Sequence, residues 1–147
     1  MPFVDRSFDG AYMLHVGMNI EDKARLCSEA GRVLRPGAAF AIYDVMRIGD
    51  GDLTYPVPWA TTVAPSAAAA PGQYRNALRA AVVMGERNRR DFALTFFDQL
   101  RAKTAAMGGP PPLHILMGRD TRAKVLNMIE NISSGKIAPV ELIARKT

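Results

Sequence analysis

Among 147 residues there are one cysteine, Cys27, and two histidines, His15 and His114. A single thiol closes no internal disulfide, and three such side chains cannot fill a four-ligand structural zinc site, so no metal is expected. This cysteine usage fits a reducing, cytoplasmic setting. Aromatic residues make up 7% of the chain, with one tryptophan, Trp59, and no aromatic ladder interleaves the basic residues. Nowhere do the ~18 uninterrupted apolar residues of a spanning helix occur, and Met1 to Arg6 shows no basic-then-apolar leader. Neither a membrane partner nor export is expected. What is present, 48% hydrophobic and 22% charged residues in 16.0 kDa, is the composition of one globular domain. The net charge of +5 comes from 19 Lys and Arg against 14 Asp and Glu. Its densest spots, Arg32 to Arg35 and Arg89-Arg90-Asp91, are scattered and mixed with acid, which reads as solvated surface and not as a nucleic-acid site.

Periodicity divides the chain further. Gly10 to Val16 is a short, nearly continuous apolar run, the pattern of a strand buried on both faces. From Asn19 the period becomes helical, with Ile20, Ala24, Cys27, Ala30 and Leu34 on one stripe, Asn19 as the cap and Glu21-Asp22 in the first turn. Arg35-Pro36-Gly37 stops that helix, and Ala39 to Met46 is a second strand-length run. Strand, helix, strand within residues 1–46 makes a βαβ unit, hence parallel strands and a right-handed crossover. Residues 47–72, rich in Gly, Pro and Ala and carrying Tyr55-Pro56-Val57-Pro58-Trp59, form a long loop of the kind that is usually functional. Residues 73–147 follow with a helix over about Gln73 to Ala81, a helix from Asp91 to Met107 with Phe92, Phe96 and Leu100 on its apolar side, a proline run, and a helix from Asp120 facing Val125, Leu126, Ile129 and Ile132 inward. A strand over Ile137 to Ala144 closes the chain, with Pro139 near its start.

Three stretches together resemble the class I S-adenosylmethionine-dependent methyltransferases, of the type that includes ubiquinone and menaquinone biosynthesis enzymes. Pro2-Phe3-Val4-Asp5-Arg6-Ser7-Phe8-Asp9 looks like the family's loop into strand four, Arg32-Val33-Leu34-Arg35-Pro36-Gly37 like the motif before strand five, and Val140 to Arg145 like strand seven. The resemblance implies an α/β fold, a partial Rossmann-like sheet in the order 4-5-7-6 with flanking helices, as a truncated methyltransferase-like domain over 1–147. It implies S-adenosylmethionine as cofactor, with Leu14, His15 and Val16 beside it. The family's glycine-rich turn after strand one and the acidic residue after strand two have no counterpart here. Gly49-Asp50-Gly51-Asp52 follows strand five and caps no helix. Ala38 also replaces a usual glycine.

In open α/β sheets the ligand lies beyond the carboxyl ends of the strands, which makes Met18, Asn19, Asp44 and Arg47 substrate-facing. His15 is either a general base for the acceptor's proton or a hydrogen-bonded residue shaping the pocket floor. Asp44 either touches substrate or caps its strand, and Trp59 either walls the acceptor pocket or pins the loop to the core. His114 reads as a loop residue, and Cys27, on the helix's apolar stripe, as core. Direct methyl displacement needs alignment more than side-chain chemistry, in keeping with the lack of a triad or carboxylate pair. Two functions stand: methyl transfer to a small-molecule acceptor once the missing cofactor half is supplied, or a non-catalytic remnant acting as an oligomerisation or small-ligand-binding module. A sheet without its strand-one neighbour leaves strand four as an open edge, so a homodimer or swapped assembly through Tyr12 to Val16 is expected.

Overall fold

The computed structural model describes residues 1–79, 81–106, 117–118 and 120–147. Four strands, β1 (Phe8–Leu14), β2 (Leu34–Arg47), β3 (Ala81–Asn88) and β4 (Ile137–Lys146), form one sheet in the order β1-β2-β4-β3. This is the 4-5-7-6 order that the sequence motifs imply. β1 and β2 run parallel, joined through α1 (Lys23–Val33), while β4 inserts antiparallel between β2 and β3. Because β4 is paired on both sides, its Ala138, Val140, Leu142 and Ala144 are at most 1% exposed.

Side-chain alternation along β2 builds two layers. Phe40, Ile42 and Met46 point to one face, where they meet Cys27 and Ala30 of α1 and Tyr74 and Leu78 at α2 (Pro71–Ala77). Val45 points to the other, against Ala93 of α3 (Arg90–Ala106) and Ile132 of α4 (Thr121–Ser133). α3 is tied to α4 by Arg90, whose Nε and Nη2 donate to the carbonyls of Ile132 and Ser133 at 2.9 and 2.8 Å. A cation on the last carbonyls of a helix satisfies acceptors that have no partner within it.

Several sequence expectations shift. β1 begins and ends two residues earlier than the apolar run, and it is an edge strand, not one buried on both faces: Tyr12 is 78% and Leu14 55% exposed. Only Met13 along it is buried. α1 is capped by Asp22, whose carboxylate accepts from the Arg25 amide at 2.8 Å, whereas Asn19 ends a short 3₁₀ turn (Gly17–Asn19). A carboxylate one residue before the first helical residue outcompetes an asparagine farther out. The helix expected to reach Ala81 stops at Ala77, and β3, whose Val82, Met84 and charged neighbours give no clean alternation, takes over. β3 is a sheet edge with a bulge between Val83 and Gly85, where pairing to β4 outweighs pattern. Leu126 is half exposed, as are Phe92 and Phe96 of the expected core stripe. Asp120 precedes α4 without a side-chain cap bond. His114 and Met107 lie outside the described residues.

The loop before β1 is pinned to α1 by Arg32, which donates to the Phe3 carbonyl at 2.8 Å and pairs with Asp5 at 2.7 Å and Glu29 at 2.9 Å. After α1, Gly37 adopts φ +81°, a left-handed conformation that lets the chain turn into the paired part of β2. Gly17 is required for a different reason. A Cβ there would collide with the Tyr74 hydroxyl and the Asp44 carboxylate and press on Met13 Cε. Gly17→Ala is therefore expected to lower stability by about 1–3 kcal/mol, the range for overpacking a tight interior, read as a reduced midpoint in urea unfolding with the slope unchanged.

Candidate functional site

At the carboxyl ends of β1 and β2 the chain places a small polar cluster. His15 follows the last residue of β1 with φ +51°, in the left-handed region that histidine enters more readily than most side chains. Its amide donates to the Tyr43 carbonyl at 2.8 Å, so the β1–β2 ladder continues one residue past the strand. Its ring meets the Tyr43 ring edge-on, centroids 5.2 Å apart and planes at 78°. Backbone pairing and ring contact together aim an exposed imidazole off the strand end. Burial pushes the Tyr43 hydroxyl above its ordinary value, with the Arg89 charge opposing, so near neutral pH the phenol is a hydrogen-bond donor.

His15, Asn19 and Tyr43 line one part of a cavity of about 700 Å³ between the sheet and the α3–α4 layer. The rest of its wall is apolar, with Met18, Val45, Trp59, Phe96, Phe97 and Met128 among the contributors. Trp59 reaches it from the long loop, whose position is fixed by α4. Asn131, fully buried, accepts from the Thr54 amide and donates to the Thr54 carbonyl, both at 2.9 Å, while Asn127 donates to the Pro56 carbonyl at 3.0 Å. Within the loop, Val57 and Ala60 exchange backbone bonds across a tight turn, and the indole nitrogen of Trp59 donates to Ser66 Oγ at 3.1 Å. The loop containing the tryptophan is thus held by one buried and one half-buried amide of α4.

On the opposite face of β2, behind this cavity, lies a second polar cluster. Asp44 is fully buried and accepts from the Tyr74 hydroxyl at 2.5 Å and from its own neighbour's amide, Val45, at 3.1 Å. Lys23, 7% exposed, spends its ammonium on three carbonyls, those of Gly17 at 2.9 Å, Ala67 at 2.8 Å and Ile20, and lies 5.5 Å from the centre of the Tyr74 ring. Desolvation raises the Asp44 carboxyl, against the hydrogen bond from Tyr74, and lowers Lys23, against the charge of Asp44. Both the turn bearing Met18 and Asn19 and the loop returning from Trp59 are anchored on this one ammonium.

Of the sequence-derived site residues, His15, Met18, Asn19 and Trp59 converge on the cavity. Leu14 and Val16 flank His15 with side chains 55% and 44% exposed beyond the edge of the sheet. Asp44 does not open onto the cavity, and the Arg47 guanidinium is bonded to the Gly51 carbonyl within the loop. Strand alternation explains Asp44: Tyr43 and Val45 face the cavity, so the residue between them faces away. Lys23, Tyr74, Asn127 and Asn131 give no motif signal, because their partners are backbone groups and side chains distant in sequence. Cys27, beneath Lys23, is buried with its thiol pushed up to about 11 by desolvation, which keeps it protonated and unsuited to nucleophilic work. Among the described residues no group of three or more His, Cys, Asp or Glu side chains is placed to hold a metal ion.

With its folded pKa raised, Asp44 binds its proton more tightly in the native state than in the unfolded chain, so its contribution to stability falls as pH rises above the ordinary carboxylate value of 3.8. Asp44→Asn keeps an oxygen for the Tyr74 hydroxyl and removes the titration. Urea unfolding of both proteins from pH 4 to 8 is expected to show a decline in the native chain that the variant lacks.

Comparison with known proteins now bears on what this arrangement is. Residues 1–42 match the family model described as a methyltransferase domain. Over 45 residues the chain is 42% identical to the O-methyltransferase rstn1 of Aspergillus nomiae NRRL, an alignment covering 31% of this chain and 20% of that protein. In three dimensions all of the chain aligns with 49% of geranyl diphosphate C-methyltransferase from Streptomyces coelicolor A3(2), solved with Mg2+, geranyl diphosphate and S-adenosyl-L-homocysteine, at a TM-score of 0.74 and 16% identity. The [4+2]-cyclase SpnF also shares the fold, with a TM-score of 0.67 and 18% identity over 99% of this chain and 53% of that one. The chain spans about a fifth of the length of this curated relative and about half of these solved structures. At such identities the structures establish the fold alone, a mixed α/β arrangement with a four-stranded Rossmann-like sheet. The family resemblance read from the opening motifs is met independently by the family model and by the curated relatives.

Proposed function

From that kinship with the class I S-adenosylmethionine-dependent methyltransferases, we propose that this chain carries the acceptor side of a methyl-transfer site for a small molecule. The observation that carries the proposal is the placement of His15: an exposed imidazole in a left-handed turn at the carboxyl end of β1, on the wall of a large cavity. In an α/β sheet the strand ends are where cofactor and substrate meet. The exposed apolar side chains of Leu14 and Val16 suit one flank of S-adenosylmethionine, which when bound supplies an electrophilic methyl group on a sulfonium. Met18, Asn19 and Trp59 hold the acceptor, and His15 takes the proton that the acceptor's nucleophilic atom loses. Tyr43, a neutral donor beside His15, orients the acceptor oxygen or nitrogen. Asp44 and Lys23 act behind the site, fixing the turns that carry Met18, Asn19 and Trp59, and Arg47 braces the base of the same loop.

Calorimetric titration of the chain with S-adenosylmethionine and S-adenosylhomocysteine tests this. Saturable heat at one site per chain would remove the non-catalytic reading. No heat at millimolar ligand would overturn catalysis by this chain alone.

A second reading rests on a different observation, the open edge of β1. Tyr12, Leu14 and Val16 are exposed together along a strand that has a partner on one side only. An unpaired, apolar edge is a template for another strand. A homodimer or swapped assembly through Tyr12 to Val16 would cover it and make the chain a non-catalytic oligomerisation module instead. Light scattering at micromolar concentration is expected to give twice the chain mass, shifting to the monomer on Tyr12→Lys. A monodisperse monomer of the native chain would refute the assembly.

A further inference from the structure

The cavity wall is notable for what it excludes. Among the described residues that line it there is no lysine, arginine, aspartate or glutamate, although 22% of the chain is charged. Besides the Trp59 indole, which is bonded to Ser66, its polar side chains are His15, Asn19 and Tyr43, gathered where β1 ends beside β2. Across from them, Phe92 and Phe96 of α3 are 66% and 51% exposed, apolar surface that a soluble helix ordinarily keeps covered. The ion pair nearest in the sheet register, Arg89 with Glu141 at 3.0 Å, is self-neutralised and contributes no atom to the lining. A charged ligand placed here would lose hydration while the described wall offers it no lysine, arginine, aspartate or glutamate in contact, and burying a charge without such a partner is costly.

Resting on the methyl-transfer reading above, we infer that the acceptor is a neutral, predominantly apolar molecule carrying one hydroxyl-type polar group. That group sits among His15, Asn19 and Tyr43, and the apolar body lies between Trp59 and the phenylalanines of α3. The volume, about 700 Å³, is within the range of pockets that enclose a drug-sized ligand. The described wall offers phosphorylated and cationic acceptors no counter-charge, unlike what the diphosphate of the neighbour solved with geranyl diphosphate and Mg2+ requires.

Trp59 is the chain's only tryptophan and lines the cavity, so its fluorescence reports occupancy without any methyl donor. The test uses the full chain at pH 8, titrated with 1-decanol, decyl phosphate and decylamine. 1-Decanol is expected to change Trp59 emission saturably, with both charged analogues at least ~10-fold weaker. Phe96→Lys, on a half-exposed position that leaves the core intact, is expected to reverse the order in favour of decyl phosphate. Equal or tighter binding of a charged analogue to the native chain, or no response to any of the three, would overturn the inference. The outcome is separable from the titration with S-adenosylmethionine: a decanol response without cofactor heat removes only catalysis by this chain alone, and cofactor heat without a decanol response removes only the acceptor class.

Discussion

A carboxylate and an ammonium, both out of contact with water, sit behind the candidate site, and neither is neutralised by a direct ion pair. Asp44 is satisfied by the Tyr74 hydroxyl and a backbone amide, and Lys23 by three backbone carbonyls. Burying such groups is tolerable only when every lone pair and proton has a partner, and among the described residues no buried side-chain nitrogen or oxygen is left without one. The bonds Lys23 makes join the turn after β1, the approach to α1 and the end of the long loop, reinforcing the backbone bonds from the Ala67 amide to the Met18 carbonyl and from the Ile20 amide to the Gly17 carbonyl. Tyr74 brings α2 onto the same point. Gly17 fits there because nothing larger does.

This cluster explains why an irregular segment of more than twenty residues can present a defined wall. At one end the loop is held by Lys23 through the Ala67 carbonyl, and at the other by the amides of Asn127 and Asn131 on α4. Between these anchors Trp59 is fixed by its own bond to Ser66. A loop pinned from both faces of the sheet is a rigid part of a binding site, which is what discrimination between ligands demands.

Much of the architecture was legible because it rests on local chemistry. The loop from Pro2 to Asp9, the Arg32 to Gly37 stop and the apolar run of β2 are short-range signals, and the sheet order implied by their resemblance to methyltransferases is the observed one. His15, Met18, Asn19 and Trp59, singled out from their positions after strand ends and on the long loop, line one cavity. The failures share a cause. Phe92, Phe96 and Leu126 have helical spacing that reads as core, yet spacing says only that residues share a side of a helix, not what covers it. β3 lacks a strand's alternation because its identity comes from hydrogen bonds to β4. Asp44 follows the same pattern, since its type and strand-end position are visible while the face it takes depends on β2's register.

The sequence by itself determined the opening strand–helix–strand unit, the later helices, the closing strand and the turn chemistry at Gly37. Those are set by propensity, periodicity and capping within a few residues. Only the tertiary structure decided that Asp44 turns inward, that Lys23 becomes a clamp instead of a surface charge, and that the described residues of the cavity wall carry no acidic or basic side chain beyond His15. Each of these depends on which distant backbone groups arrive at one point, and burial there gives an isolated polar group no choice but to find a partner.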